Sequence, residues 1–149
     1  MGGSAGGHLA LMGGLLANDR RFDANCTYGG VIKVAAIINK YGVADLTPFK
    51  NWKSAKIWLG SKFGDLEFTK AVSPINYVNS KSPPVFIIHG DKDPTVPFSQ
   101  SEKLYQKLID NGVKTEFMIV KDGQHGKFDY QTKLDFKNRM WQFLNTLGL

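Results

Sequence analysis

The chain has 149 residues, 42% of them hydrophobic and 21% charged, with 19 Lys and Arg against 13 Asp and Glu for a net charge of +6. That length and balance point to one globular domain and exclude a disordered tail, a collagen-like repeat and a disulfide scaffold. No window is apolar over the ~18 residues that a bilayer span needs. The single cysteine, Cys26, has no internal partner, and no Cys/His cluster shows metal-ligand spacing. A domain without disulfides folds in either redox environment, so the compartment stays open. Positive charge concentrates in residues 31–80, where seven lysines face Asp45, Asp65 and Glu67 for a net +4. No run of adjacent basic residues and no nucleic-acid motif accompanies it, so a solvated lysine-rich face is the better reading than a nucleic-acid surface.

The chain opens on Gly2-Gly3-Ser4-Ala5-Gly6, which fits the G-x-S-x-G spacing of a sharp strand-to-helix turn. Such a turn lifts a serine hydroxyl into solvent, and small flanking residues are needed because a Cβ would strike neighbouring backbone. Gly7 to Ala17 then reads as an almost wholly apolar helix, in which Gly13 and Gly14 each cost about 1 kcal/mol relative to Ala unless close packing offsets them. The β-branched run Val31 to Asn39, after Tyr28-Gly29-Gly30, predicts a buried strand. Residues 41–82 form a long stretch with short helical signals at Trp52–Leu59 and Phe63–Val72, the kind of segment that serves as a lid or pocket wall.

Val85-Phe86-Ile87-Ile88, bounded by Pro83-Pro84 and His89-Gly90, predicts a second strand. Ser99-Gln100-Ser101-Glu102 fits a capping box that opens a helix through Leu104, Tyr105, Leu108 and Ile109 to Asn111-Gly112. Thr115 to Val120 predicts a third strand, and Tyr130 to Leu147 a last helix with Tyr130, Leu134, Trp141 and Leu144 on one face beside Met140, Phe143 and Leu147. Continuous apolar runs alternating with helices predict an α/β fold of about three parallel strands with flanking helices.

A serine raised on such a turn needs a base. His8 lies on the serine's own helix and reads as a structural or pocket-wall residue, while His89 ends an apolar strand and reads as buried and hydrogen-bonded. His125, in the loop Asp122-Gly123-Gln124-His125-Gly126, has the freedom to reach the serine. The partner acid lies in His89-Gly90-Asp91-Lys92-Asp93-Pro94, where Asp91 and Asp93 are both candidates and both also fit a plain turn.

These segments, in the chain order Ser, Asp, His, resemble the C-terminal half to two-thirds of an α/β-hydrolase. The match is nearest to small carboxylesterases grouped with acetyl esterases, xylan deacetylases and feruloyl esterases. It rests on Gly2 to Ala10, His89 to Pro97 and Gly123 to Gly126, and extends to Tyr41-Gly42-Val43-Ala44-Asp45-Leu46. The resemblance implies Ser4 as nucleophile, His125 as base, Asp93 as the orienting acid and the Ala5 N–H as one oxyanion donor. It implies a small-molecule ester substrate, carbohydrate-linked esters included, with no metal or organic cofactor; the missing apolar span and nucleic-acid motif give the further expectation of no membrane or nucleic-acid partner. Phe49, Trp52, Trp58 and Phe63 are candidate pocket walls, although packing of short helices is the plainer account of four aromatics there.

The family also carries strands before the elbow and a His-Gly-Gly loop that supplies a second oxyanion donor, and this sequence contains neither. Residues 1–149 are therefore expected to be the C-terminal part of one α/β-hydrolase domain, with 41–82 as its lid or pocket insertion. Missing strands would leave Val31–Asn39 as an exposed edge, and one missing oxyanion donor costs roughly 10²–10³ in rate. The isolated chain is thus expected to fold poorly and turn over little, and the complete protein to be an enzyme. Two rivals stand beside the esterase. A serine peptidase of the prolyl oligopeptidase kind shares the elbow and order but usually has an aromatic residue where Ala5 stands. A non-catalytic binding homologue would be expected to have lost one of the three residues, whereas an inactive truncated fragment would keep them as an inherited remnant.

Overall fold

The computed structural model describes residues 1–19, 21, 27, 29–49 and 51–149. Cys26, Tyr28 and Lys50, which enter the reading above, lie outside the described residues. The strands and α-helices among the described residues are, in order, strand β1 (Gly2–Gly3), helix α1 (Ala5–Leu15), β2 (Ile37–Lys40), α2 (Lys53–Leu59), α3 (Leu66–Ala71), β3 (Val85–Gly90), α4 (Ser99–Asp110), β4 (Thr115–Val120) and α5 (Tyr130–Asn145). The four strands form one parallel sheet in the order β1-β2-β3-β4.

Strand β3 is buried along its whole length because both faces of the sheet are covered. Val85 and Ile87 point to one side, into a core with Leu11 of α1 and Leu104 and Leu108 of α4. Phe86 and Ile88 point to the other, against Met118 and Phe143. Phe86 meets Phe136 and Phe143 of α5 edge-on, with ring centroids 5.8 and 5.6 Å apart. A third cluster, Val43, Leu46, Ala55 and Val96, lies under residues 41–82. No helix among the described residues is long and apolar enough to cross a membrane.

Four details depart from expectation. A fourth strand, β1, precedes the serine and pairs Gly2 with Asn39 and Gly3 with Lys40, so the edge of β2 is covered at its C-terminal end. Second, β2 begins at Ile37 rather than Val31. Its ladder with β3 starts at Ile37↔Val85, and the preceding Pro83-Pro84 has no N–H groups to extend it. Ile32 is instead gripped by the Asn18 side-chain amide, which accepts its N–H at 2.8 Å and donates to its carbonyl at 3.0 Å.

Third, the capping box at Ser99 does not form. The N-cap of α4 is Phe98, and the Pro97 and Phe98 carbonyls accept the N–H groups of Gln100, Ser101 and Glu102. Gln100 and Ser101 turn inward: the Gln100 side-chain oxygen Oε1 accepts from the Ala44 and Asp45 N–H groups, and the Ser101 hydroxyl meets His89. Fourth, only part of the expected face of α5 is buried. Met140, Leu144 and Leu147 join Phe143 and Phe136 on the sheet, whereas Tyr130, Leu134 and Trp141 stay exposed. Of the Gly13-Gly14 pair in α1, Gly14 is packed so tightly that a Cβ would strike the Ile37 side chain, while Gly13 faces open space.

Candidate active site

Ser4 sits between β1 and α1 with φ 55° and ψ −122°, a left-handed conformation that non-glycine residues adopt only when the surroundings force it. Its N–H donates to the Lys40 carbonyl at 2.9 Å, which ties the turn to β2. Ala5, the first helical residue, carries an N–H that the helix leaves without an acceptor, at the electropositive end of α1. His125 reaches across from the loop after β4 and places Nε2 2.8 Å from the Ser4 hydroxyl oxygen. Its other ring nitrogen, Nδ1, lies 2.6 Å from Asp93 Oδ2.

Asp93 follows β3, and its carboxylate is fully enclosed. Oδ1 accepts the N–H groups of Thr95 at 2.7 Å and Val96 at 2.9 Å, while Oδ2 faces two imidazoles. Burial alone would push this carboxyl up, but the Val96 and Thr95 N–H groups and His125 outweigh it and hold the group below the ordinary carboxylate range. Asp91 is directed elsewhere: its Oδ1 accepts the N–H of Asp122, itself at φ 55°. The turn after β3 therefore sends one aspartate to the histidine and the other to brace the loop that carries it. Gly90 and Gly123 complete that brace, because a Cβ on Gly90 would strike the backbone of Gly123.

Tyr41 carries no role of its own in the sequence motif Tyr41-Gly42-Val43-Ala44-Asp45-Leu46, yet the structure sets it against the site. It has φ 43°, and its ring stands edge-on to that of His125 with centroids 4.9 Å apart. Its hydroxyl fills the space that a Cβ on Gly126 would need, 2.6 Å away, and Gly126 has φ +65°. Burial and the nearby Asp93 push the Tyr41 phenol upward, so it stays neutral. The signal was present in the sequence as a bulky residue directly after a strand and before Gly42, but position alone does not say which ring it supports.

Beside Ser4 opens a cavity of about 310 Å³ walled by Ala5, His8, Leu46, Trp52, Ala55 and Trp58. Trp52 and Trp58 thus border Ser4, whereas Phe49 and Phe63 line a separate hollow with Leu59 and Leu66. His8 is buried and donates from Nδ1 to the Val43 carbonyl at 3.0 Å, its ring edge-on to Trp58. Burial pushes its pKa down and keeps it neutral. Among the described residues no group of three His, Cys, Asp or Glu side chains is arranged as a metal site.

A parallel sheet with flanking helices and a strained serine at a strand-to-helix turn defines an α/β-hydrolase fold. The sequence pattern of the BD-FAE family matches residues 1–108, and the chain belongs to that family. It is 37% identical over 135 residues to Esterase LipQ of Mycobacterium tuberculosis, covering 86% of this chain and 32% of that protein. It is 30% identical over 121 residues to Esterase LipC of the same organism, covering 72% and 28%. The acetyl ester-xyloside bifunctional hydrolase of Caldicellulosiruptor lactoaceticus superposes with a TM-score of 0.77 and 29% identity, over 99% of this chain and 55% of its own. The chain thus spans about a third of the length of the curated relatives it matches.

Proposed function

We propose that the protein carrying this chain hydrolyses carboxylic esters of short acyl groups through an acyl-enzyme on Ser4. The observation that carries this reading is the unbroken line from the Ser4 hydroxyl through His125, at 2.8 Å, to Asp93, at 2.6 Å. In the reaction Ser4 Oγ attacks the ester carbonyl while His125 Nε2 takes its proton. Asp93 keeps Nδ1 protonated and stabilises the imidazolium. The Ala5 N–H donates to the developing oxyanion, and His125 returns the proton to the leaving alcohol. A water activated by His125 then releases the acid.

The apolar cavity of about 310 Å³ beside Ser4 supports a small acyl group, with Trp52 and Trp58 of the 41–82 segment as its walls. Carbohydrate-linked esters fall within the proposed range, since one structural relative is described as an acetyl ester-xyloside hydrolase. The experiment is hydrolysis of p-nitrophenyl acetate by the wild type and Ser4→Ala. Loss of turnover by about 10³-fold or more is expected, and turnover that survives the substitution overturns the mechanism.

A further inference from the structure

His89 is the penultimate residue of β3 and has no exposed surface, and the reaction proposed above does not use it. Its Nε2 lies 3.1 Å from Asp93 Oδ2 and 3.1 Å from the Val96 carbonyl, and its Nδ1 lies 2.7 Å from the Ser101 hydroxyl. A carboxylate and a carbonyl only accept, so Nε2 carries the proton. Burial pushes the His89 pKa down and keeps the ring neutral, against the smaller upward pull of Asp93. Nδ1 is then a bare lone pair, and Ser101 donates to it. The tautomer of His89 is set by a serine on α4 whose own side chain is enclosed.

We propose that His89 is a positioning residue for Asp93, a second imidazole that donates to the same carboxylate oxygen as His125 and shares its negative charge. The hydrogen bonds then run Ser101 to His89 to Asp93 from one side and Ser4 to His125 to Asp93 from the other. Two consequences follow. The carboxylate cannot rotate away from His125, because Oδ1 is pinned by Thr95 and Val96 and Oδ2 by His89. The charge left on Oδ2 to hold the His125 proton is also smaller than it would be without the His89 donor.

The titratable groups facing His89 are Asp93 on the following turn, His125 across the carboxylate, and Tyr41 after β2, whose ring centroid lies 6.4 Å away. Helix α4 contributes only Ser101, and Phe98 at its N-cap packs edge-on to the His89 ring, while Ile119 is the register partner on β4. With the His89 ring neutral its direct electrostatic effect on His125 is small, and Asp93, which both imidazoles touch, carries a change in the acid limb on altering His89.

This inference rests on the Ser4–His125–Asp93 reading and deepens it. The test compares His89→Phe, which keeps an aromatic ring but no donor, with His89→Gln, which keeps an N–H donor but no ring. If the hydrogen bond matters, the Phe variant loses about tenfold or more in kcat and its acid limb moves up by about half a unit to one unit. Its low-field His125 Nδ1–H proton resonance moves further downfield, and the Gln variant stays near wild type on all three readouts. If only packing matters, the order reverses, and that result overturns the proposal. Should the Phe variant unfold, Ser101→Ala reads the same relay with a smaller shift, and an unmoved resonance there overturns it. The NMR readout needs no turnover, so it reports on His89 and Asp93 even if Ser4→Ala proves fully active and the triad reading fails.

Discussion

Gly7 and Gly42 lie backbone against backbone. A Cβ on Gly7 would come 2.9 Å from the Cα of Gly42, and a Cβ on Gly42 would come 2.8 Å from the N of His8. Enclosed beside both is Asn39, whose Oδ1 accepts the Gly42 N–H at 3.1 Å and would meet a Cβ on either glycine. This is where α1 meets the end of β2, just behind Ser4. Gly42→Ala is expected to destabilise the fold by about 1–3 kcal/mol through overpacking. Chemical denaturation measures this, and an unchanged midpoint contradicts it.

Asp91 and Asp93 make a sharper test of the site than either alone. Asp93→Asn removes the charge that holds the His125 proton and is expected to lower kcat by about 10³–10⁴-fold. Asp91→Asn keeps an oxygen able to accept the Asp122 N–H, so its loss should stay within about tenfold. Equal losses would remove the distinction between the two roles.

Trp58 narrows the cavity beside Ser4 and is itself half exposed. Trp58→Ala is expected to raise the kcat/KM ratio for hexanoate over acetate esters by about tenfold or more, tenfold being the low end of what a single methylene carries in an apolar pocket. An unchanged ratio places the acyl group elsewhere.

Gly126→Ala would set a methyl against the Tyr41 hydroxyl at a position with φ +65°. Because Tyr41 stands on the His125 ring, kcat is expected to fall more than thermal stability does. Measuring both on one preparation separates a displaced imidazole from a loosened fold.

Stability should fall on acidification in two stages. His8 and His89 have pKa values pushed down by burial, so the unfolded chain binds protons that the native state refuses. Their contribution is complete above the ordinary histidine value of about 6.5 and declines as pH drops below it toward their lowered values. Asp93 is also held down, so its contribution is present above the ordinary carboxylate range and lost as pH falls through its own lowered value. Thermal midpoints between about pH 8 and pH 3 trace both stages. His89→Gln should flatten the first.

The central strands and the helix positions were legible because parallel strands buried on both faces write continuous apolar runs, as in Val85 to Ile88. The strand ends bearing Ser4, Asp93 and His125 were legible for a related reason: glycine and proline punctuate them. Pairing limits were harder to see. Nothing in Val31 to Ala36 announces that the residues its last two positions would pair with are prolines, or that Asn18 supplies a substitute for a neighbouring strand at Ile32. At Ser99 the capping pattern was real but lost to tertiary demand, since Gln100 and Ser101 hold Ala44, Asp45 and His89. Helix α5 offers apolar residues on more than one face, and only contact with Phe86 and Met118 decides which one is covered.

The seam between Gly90 and Gly123 makes the turns after β3 and β4 one mechanical piece, fastened again where Asp91 holds Asp122 and where the Lys92 N–H meets the Gly123 carbonyl at 3.1 Å. A graft that exchanges either turn alone would tear that seam and displace Asp93 and His125 together. Their lengths can therefore change only as a pair, and an engineer who wishes to reshape this side of the pocket must transplant both turns or neither.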